Sequence, residues 1–187
     1  THVRIYAALA VGMWLMACTG PAPDERPVLI PVPQKTIWGD GTYRLPERLQ
    51  LGIADTALIA AAGYVNEVLA PYGTVAVDRC DRGDIVLELD SAALPPEGYR
   101  LSVTHAGVRI GGGSYRGVVN GIATLRQLLP AKAGSGAKIP YAEIADRPAF
   151  GWRGVMLDVS RHFFDKEEIF TLLDQMARLK LYDVAWT

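Results

Sequence analysis

The chain has 187 residues, half of them apolar, and its 19 basic and 20 acidic side chains give a formal charge of −1. This length and apolar content allow one or two buried cores and exclude a disordered chain. The balanced charge offers no basic surface for nucleic acid, so we expect no nucleic-acid partner. Three histidines and two cysteines are scattered without the spacing of metal ligands, so we expect no metal and no cofactor.

The amino terminus has the pattern of a bacterial export signal. Basic side chains are followed by an apolar run over residues 5–16, which is shorter than the about 20 residues needed to span a bilayer. The run ends in Leu-Met-Ala-Cys at Cys18, which resembles a lipobox, and residues 18–27 form a proline-rich tether. We therefore expect a signal peptide over 1–17 and a lipid on Cys18, which places the protein in the bacterial cell envelope, in the periplasm or on the outer-membrane surface. The alternative is an incidental cysteine in an ordinary cleavable signal.

The body of the chain, residues 28–146, alternates between strand and helix patterns. Apolar residues recur at helical spacing in two segments, the first capped by Asp55 and the second beginning near Ser114. Short extended segments bounded by turn residues predict strands, and these segments lie at 28–32, 35–38, 42–45, 49–53, 84–90, 99–104 and 108–110. We predict one α+β domain with an open, mainly antiparallel sheet and two helices on one face.

The pattern changes over residues 147–187. The near-continuous apolar segment 154–159 predicts a strand buried on both faces, and Asp165 is placed to cap a helix over 166–180. A further strand pattern begins at Tyr182. Strand, helix and strand open a parallel α/β architecture, and a complete (β/α)8 barrel needs roughly 250 residues. We therefore predict only the first strand–helix unit of such a barrel.

Residues 150–164, FGWRGVMLDVSRHFF, resemble the first barrel strand of glycoside hydrolase family 20, the β-N-acetylhexosaminidases. Residues 97–103 and 121–129 resemble the small amino-terminal domain of that family. The resemblance implies retaining hydrolysis of glycans that end in β-linked N-acetylglucosamine or N-acetylgalactosamine, in which the acetamido oxygen of the substrate is the nucleophile. In the family the proton-donating glutamate and the acetamido-orienting aspartate lie well downstream. We therefore expect them beyond Thr187, and we expect this chain alone to be inactive.

The same resemblance assigns a substrate contact to Arg153, which matches an arginine that binds sugar hydroxyls in the family. A guanidinium has several fixed donors and can hold two neighbouring hydroxyls. The alternative for Arg153 is pairing with a structural carboxylate. Asp158 and His162 are weaker substrate-binding candidates, and a hydrogen-bonded orienting network is the alternative for both. Arg153 and Asp158 are five residues apart, so a regular strand would place them on opposite faces.

The end of the chain departs from the family pattern, and a glycine-rich segment needs a separate interpretation. After Leu181 the family usually has an asparagine and then His-Trp-His, whereas residues 182–187 here read YDVAWT. Either the second strand diverges, or the reading frame or the sequence assembly fails near the end. The glycines of residues 111–117 follow a strand and open a helix, but the strand belongs to a hairpin. They indicate a tight strand-to-helix turn rather than a dinucleotide-binding loop.

Three functional interpretations remain open at the level of sequence. The leading one is an exo-acting glycosidase of the β-N-acetylhexosaminidase type. The second is another barrel glycosidase with a similar front domain. The third is a non-catalytic, carbohydrate-binding surface lipoprotein.

Overall fold

The structure is a computed structural model that describes residues 26–186. The expected signal peptide, the acylation candidate Cys18 and most of the expected tether lie outside the described residues. Within residues 26–186, no helix combines the length and the apolar character that crossing a membrane requires.

Nine strands and three α-helices make up the described chain. The strands are β1 Lys35–Arg44, β2 Arg48–Ile53, β3 Thr74–Asp78, β4 Ile85–Leu89, β5 Tyr99–Thr104, β6 Gly107–Gly112, β7 Lys138–Asp146, β8 Gly154–Leu157 and β9 Asp183–Trp186. The helices are α1 Ile59–Leu69, α2 Tyr115–Leu128 and α3 Lys166–Arg178. A short 3-10 turn, Thr56–Leu58, precedes α1.

The first seven strands form one sheet in the order β1-β7-β5-β6-β4-β2-β3. The ladders β1–β7, β7–β5 and β5–β6 are antiparallel, and β6–β4, β4–β2 and β2–β3 are parallel. The prediction of a mainly antiparallel sheet was therefore wrong, because half of the sheet is parallel. The physical reason is the helical crossover α1, which returns the chain to the same edge in the same direction and so makes β3 parallel to β2.

Three strand predictions also need correction. Residues 28–32 form no strand; the backbone of Ile30 is instead held by the side-chain amide of Gln127, which accepts from its N–H at 2.7 Å and donates to its carbonyl at 2.8 Å. Prolines on both sides of this segment remove the donors that a ladder needs. The separate pieces 35–38 and 42–45 belong to one strand, β1, whose register shifts between Trp38 and Thr42. Strands β3 and β7 were not predicted.

The three predicted helices are present, and side chains cap the 3-10 turn before α1 and the first turns of α2 and α3. Asp55 accepts from the Ala57 N–H at 2.8 Å, and the Ser114 hydroxyl accepts from the Arg116 N–H. Asp165 and Glu168 form a capping box at the start of α3. Each cap satisfies backbone donors that the first turn leaves unpaired.

The hydrophobic core lies between the seven-stranded sheet and the helices α1 and α2. Its members come from both helices and from the inner face of the sheet, and the last of them along the chain is Ile144. The small strand pair β8–β9 is parallel, with Gly154 opposite Asp183, and α3 connects the two strands. The prediction that β8 is buried on both faces is not met in the described chain, where Met156 is 68% exposed.

Candidate functional site

The loop that follows β8 is organised by the carboxylate of Asp158. Its Oδ1 accepts from the Ser160 hydroxyl at 2.8 Å and from the backbone N–H groups of Ser160 and Arg161, each at 3.1 Å. These hydrogen bonds, that of the Ser160 hydroxyl above all, hold the pKa of Asp158 below its usual value. Asp158 therefore stays ionised and shapes the loop, as the orienting-network alternative describes.

Arg161 and His162 extend from this loop towards solvent. The Arg161 Nε lies 3.5 Å from the Asp158 Oδ2, and the Arg161 side chain is 89% exposed. The His162 ring packs edge-to-face on Phe164, with centroids 5.0 Å apart. Sequence analysis did not single out Arg161. The available signal was its position, since barrel enzymes place their sites at the carboxyl ends of the strands.

Arg153 lies at the opposite, amino-terminal end of β8, and its guanidinium is engaged by acceptors of the chain. Its NH1 donates to the Glu97 carboxylate at 2.9 Å and to the Phe150 carbonyl at 2.7 Å, and its Nε donates to the Lys180 carbonyl at 3.0 Å. Only 14% of the side chain is exposed. This geometry matches the alternative stated for Arg153, an arginine paired with a structural carboxylate.

The structure thus does not bring the three predicted substrate-binding residues together. Asp158 and His162 share the loop at the carboxyl end of β8, whereas Arg153 precedes the strand. Five residues of extended chain separate Arg153 from Asp158 by about 16 Å. Arg153 instead belongs to the contact between the seven-stranded domain and the β8–α3–β9 unit.

A second ion pair lies at the same contact and is almost completely enclosed. The Lys180 Nζ lies 3.1 Å from the Asp146 Oδ2 and donates to the Tyr99 hydroxyl at 2.8 Å. Burial lowers the pKa of Lys180, and the Asp146 carboxylate opposes that shift. Burial also raises the pKa of Tyr99, whose hydroxyl lies 2.6 Å from the Thr124 Oγ1. Lys180 has a φ of +61°, which is uncommon for a residue with a side chain and is held here by these contacts.

Two smaller cavities flank this contact, besides a larger open groove of about 600 Å³ between residues 95–98 and 147–151. One, of about 150 Å³, is lined mainly by α2 and by the residues around Tyr182, and the other, of about 260 Å³, lies between residues 31–34 and 146–150. Neither is bordered by the loop after β8. Among residues 26–186, no cluster of three or more His, Cys, Asp or Glu side chains is arranged to hold a metal ion.

Comparison with known proteins assigns the chain to a family. The sequence model of glycosyl hydrolase family 20, domain 2, matches residues 26–147, and that of the family's catalytic domain matches residues 150–187. A β-hexosaminidase of Porphyromonas gingivalis is 31% identical over 92% of this chain and 25% of its own length. The chain spans about a quarter of the length of that relative.

Solved structures agree with the sequence match. The N-acetyl-β-hexosaminidase of Streptomyces plicatus superposes with a TM-score of 0.78 and 32% identity, over 91% of this chain and 36% of that one. An exo-β-N-acetylglucosaminidase of Vibrio harveyi, solved with N-acetylglucosamine, superposes with a TM-score of 0.76 and 26% identity, over 84% and 25%. The architecture is that of a glycoside hydrolase: an amino-terminal domain followed by the start of a catalytic barrel. The chain belongs to glycosyl hydrolase family 20, which confirms the resemblance stated from its sequence.

Proposed function

We propose that this chain is part of a β-N-acetylhexosaminidase that removes terminal, non-reducing β-linked N-acetylhexosamines. The observation that carries the proposal is the unit β8–α3–β9, because it falls in the segment that matches the family's catalytic domain and its first strand ends in a polar loop. In a barrel of parallel strands, the loops at the carboxyl ends surround the substrate. The relatives named above are β-hexosaminidases or are bound to N-acetylglucosamine, which supports the same substrate class.

We infer that the sugar contacts of this part of the chain come from the loop after β8. Arg161 presents an exposed guanidinium whose Nε is oriented by Asp158, and His162 is adjacent. A guanidinium offers several donors to neighbouring hydroxyls, and hydrogen bonds to charged groups contribute about 1.5–3 kcal/mol. The sequence-based assignment of the contact to Arg153 is the competing hypothesis. Chemistry would follow the substrate-assisted route of the family, with the sugar's acetamido oxygen as nucleophile.

The complete gene product, assayed with 4-nitrophenyl glycosides, tests the activity. We expect hydrolysis of the N-acetyl-β-glucosaminide or N-acetyl-β-galactosaminide and none of the β-glucoside. Turnover of the glucoside alone would favour another barrel glycosidase. Binding of N-acetylglucosamine oligomers without turnover of any glycoside would favour the non-catalytic surface lipoprotein.

Two arginine substitutions in the same assay distinguish the sugar-contact hypotheses. Arg161→Ala should raise KM at least about tenfold without lowering the thermal unfolding midpoint, since Arg161 is exposed. Arg153→Ala should lower the unfolding midpoint and should raise KM less, since its partners are structural. If Arg153→Ala raises KM strongly while the unfolding midpoint is unchanged, the sequence-based assignment is correct.

The cellular location remains part of the proposal. The pattern that ends at Cys18 supports a lipid anchor in the bacterial envelope. Fractionation of cells that express the complete gene product tests the lipid anchor. Hydrolase activity should be found with the membranes, and it should move to the soluble fraction in the Cys18→Ala variant.

A further inference from the structure

Tyr182 is the point at which this chain departs from the family's usual asparagine, and the structure shows what its ring contacts. The guanidinium carbons of Arg153 and Arg116 lie 4.6 and 4.8 Å from the ring centroid. A cation over the face of an aromatic ring is attracted by the negative potential of that face. Tyr182 therefore holds two arginines that come from different parts of the chain.

Glu97 completes this cluster by forming an ion pair with each of the two arginines. Its Oε2 lies 2.9 Å from the Arg153 NH1, and its Oε1 lies 3.4 Å from the Arg116 NH1. Two guanidinium groups around one ring would repel each other without this carboxylate. Arg116 and Glu97 belong to the amino-terminal domain, whereas Arg153 and Tyr182 border β8 and β9. The cluster is complete only when the two units are docked.

The backbone of Tyr182 ties the same cluster to the strand pair. Its N–H donates to the Arg153 carbonyl at 3.1 Å, and its hydroxyl donates to the Gly151 carbonyl. The next residue, Asp183, pairs with Gly154 as the first step of the parallel β8–β9 ladder. The position of the ring therefore fixes where β8 starts. Because β8 has only four residues, a shift of its start also shifts the loop at its carboxyl end.

We propose that Tyr182 is a positioning residue through which the amino-terminal domain sets the location of β8 and of the loop that follows it. The inference rests on the proposed function in one respect: it assumes that the loop after β8 contacts the sugar. The docking itself is a property of the chain whether or not the gene product hydrolyses glycosides.

Hydrogen exchange followed by mass spectrometry on the ligand-free 187-residue chain tests the docking. Tyr182→Asn should speed exchange in peptides covering β8 and β9 by about tenfold or more, with exchange in β5 and β6 unchanged, because local opening reports the lost contacts. Tyr182→Phe keeps the ring over both arginines and should retain most of the protection. Tyr115→Asn is the matched control, since Tyr115 lines the same cavity as Tyr182 but the residue is 40% exposed. Equal exchange in Tyr182→Asn and the parent, or the same acceleration in Tyr115→Asn, would overturn the docking role.

Kinetics of the complete gene product test the second half of the inference. Tyr182→Asn should raise KM for the aryl N-acetylglucosaminide by about threefold with little change in kcat, and Tyr182→Phe should restore KM, since displacement of a binding loop weakens uniform binding. Faster exchange with an unchanged KM would overturn the link to the sugar loop. A parent protein that hydrolyses no N-acetylhexosaminide would instead overturn the proposed function and leave the docking result intact.

Discussion

At the residue scale, the carboxylate of Asp146 and the ammonium of Lys180 lie 3.1 Å apart, with side chains only 11% and 6% exposed. Asp146 also accepts from the Tyr99 hydroxyl at 3.2 Å and from the Gln34 N–H at 3.2 Å. Removal of one member of such a pair leaves the other charge buried without compensation. Removing one partner should therefore be strongly destabilising. Replacing both partners by apolar residues of similar volume need not be, because burying two charges also costs free energy.

Asp146→Asn is expected to lower the free energy of unfolding by about 3 kcal/mol, because the Lys180 ammonium loses its counter-charge. Urea unfolding followed by tryptophan fluorescence measures this change. Glu88→Gln is the control, because it removes the exposed Glu88–Arg109 pair and should change the free energy by less than about 1 kcal/mol. Similar losses in both variants would contradict a special role for the buried pair.

For the residues around β8, the sequence predicted candidate roles but not the contacts that the side chains make. The residue types of the loop 158–162 and of Arg153 were visible in the sequence, and so was the choice between sugar contact and structural pairing. The ion pair of Arg153 joins it to Glu97, which is 56 positions away along the chain. No spacing rule predicts a contact of that separation, because it exists only when the domain and the strand pair are docked.

At the element scale, α2 packs closely on the sheet through two glycines on one face. A Cβ at Gly117 would lie 2.3 Å from the Gly98 carbonyl oxygen, and one at Gly121 would lie 2.4 Å from the Ile110 Cγ2. Helix α1 also contains a glycine, Gly63, but a Cβ there would meet no atom within 4 Å. Close packing therefore requires glycine at positions 117 and 121, whereas no contact requires it at position 63.

Gly117→Ala is expected to destabilise the protein by about 2 kcal/mol or more, because the contacting atom is backbone and cannot move aside. Gly63→Ala, the matched substitution in α1, should stabilise it by roughly 0.5–1 kcal/mol through helix propensity and the entropy of the unfolded chain. Thermal unfolding of the two variants measures both changes. The packing account fails if the two changes have the same sign.

Helix ends were predictable because capping is local. Asp55, Ser114 and Asp165 each bond a backbone N–H two or three residues ahead. Strand pairing could not be predicted in the same way, because β2, β4 and β6 become parallel neighbours only through crossovers of many residues. β7 was not predicted because Pro140 lies inside it and proline argues against a strand interior, yet β7 pairs with both β1 and β5.

Across the whole molecule, the main hydrophobic cluster lies in the amino-terminal unit, and Met176 of α3 is the buried apolar side chain among the described residues after 147. The clustered core residues extend from Leu29 to Ile144, whereas several large apolar side chains of the second unit are exposed. These exposed side chains include Phe150, Trp152, Met156, Phe163, Phe170 and Trp186. An exposed apolar surface of this kind promotes association.

A chain ending at Arg147 should therefore fold and remain more soluble than the 187-residue chain. The seven-stranded sheet and both of its helices are kept, and the exposed apolar side chains after residue 147 are removed. Light scattering at equal concentration and circular dichroism measure solubility and fold. Aggregation of the shorter chain, or loss of its cooperative unfolding, would show that the contacts of Arg153 and Lys180 are needed for the domain to fold.

The helices with the caps Asp55 and Asp165, the change of pattern near residue 147 and the family were all predictable from the amino-acid sequence, because each depends on residues close together in the chain. The tertiary structure decided the direction of the strands, the burial of Lys180 and the engagement of Arg153 by Glu97. The physical reason is that pairing and desolvation depend on groups far apart in sequence, and those groups meet only after the sheet and the β8–α3–β9 unit have packed together.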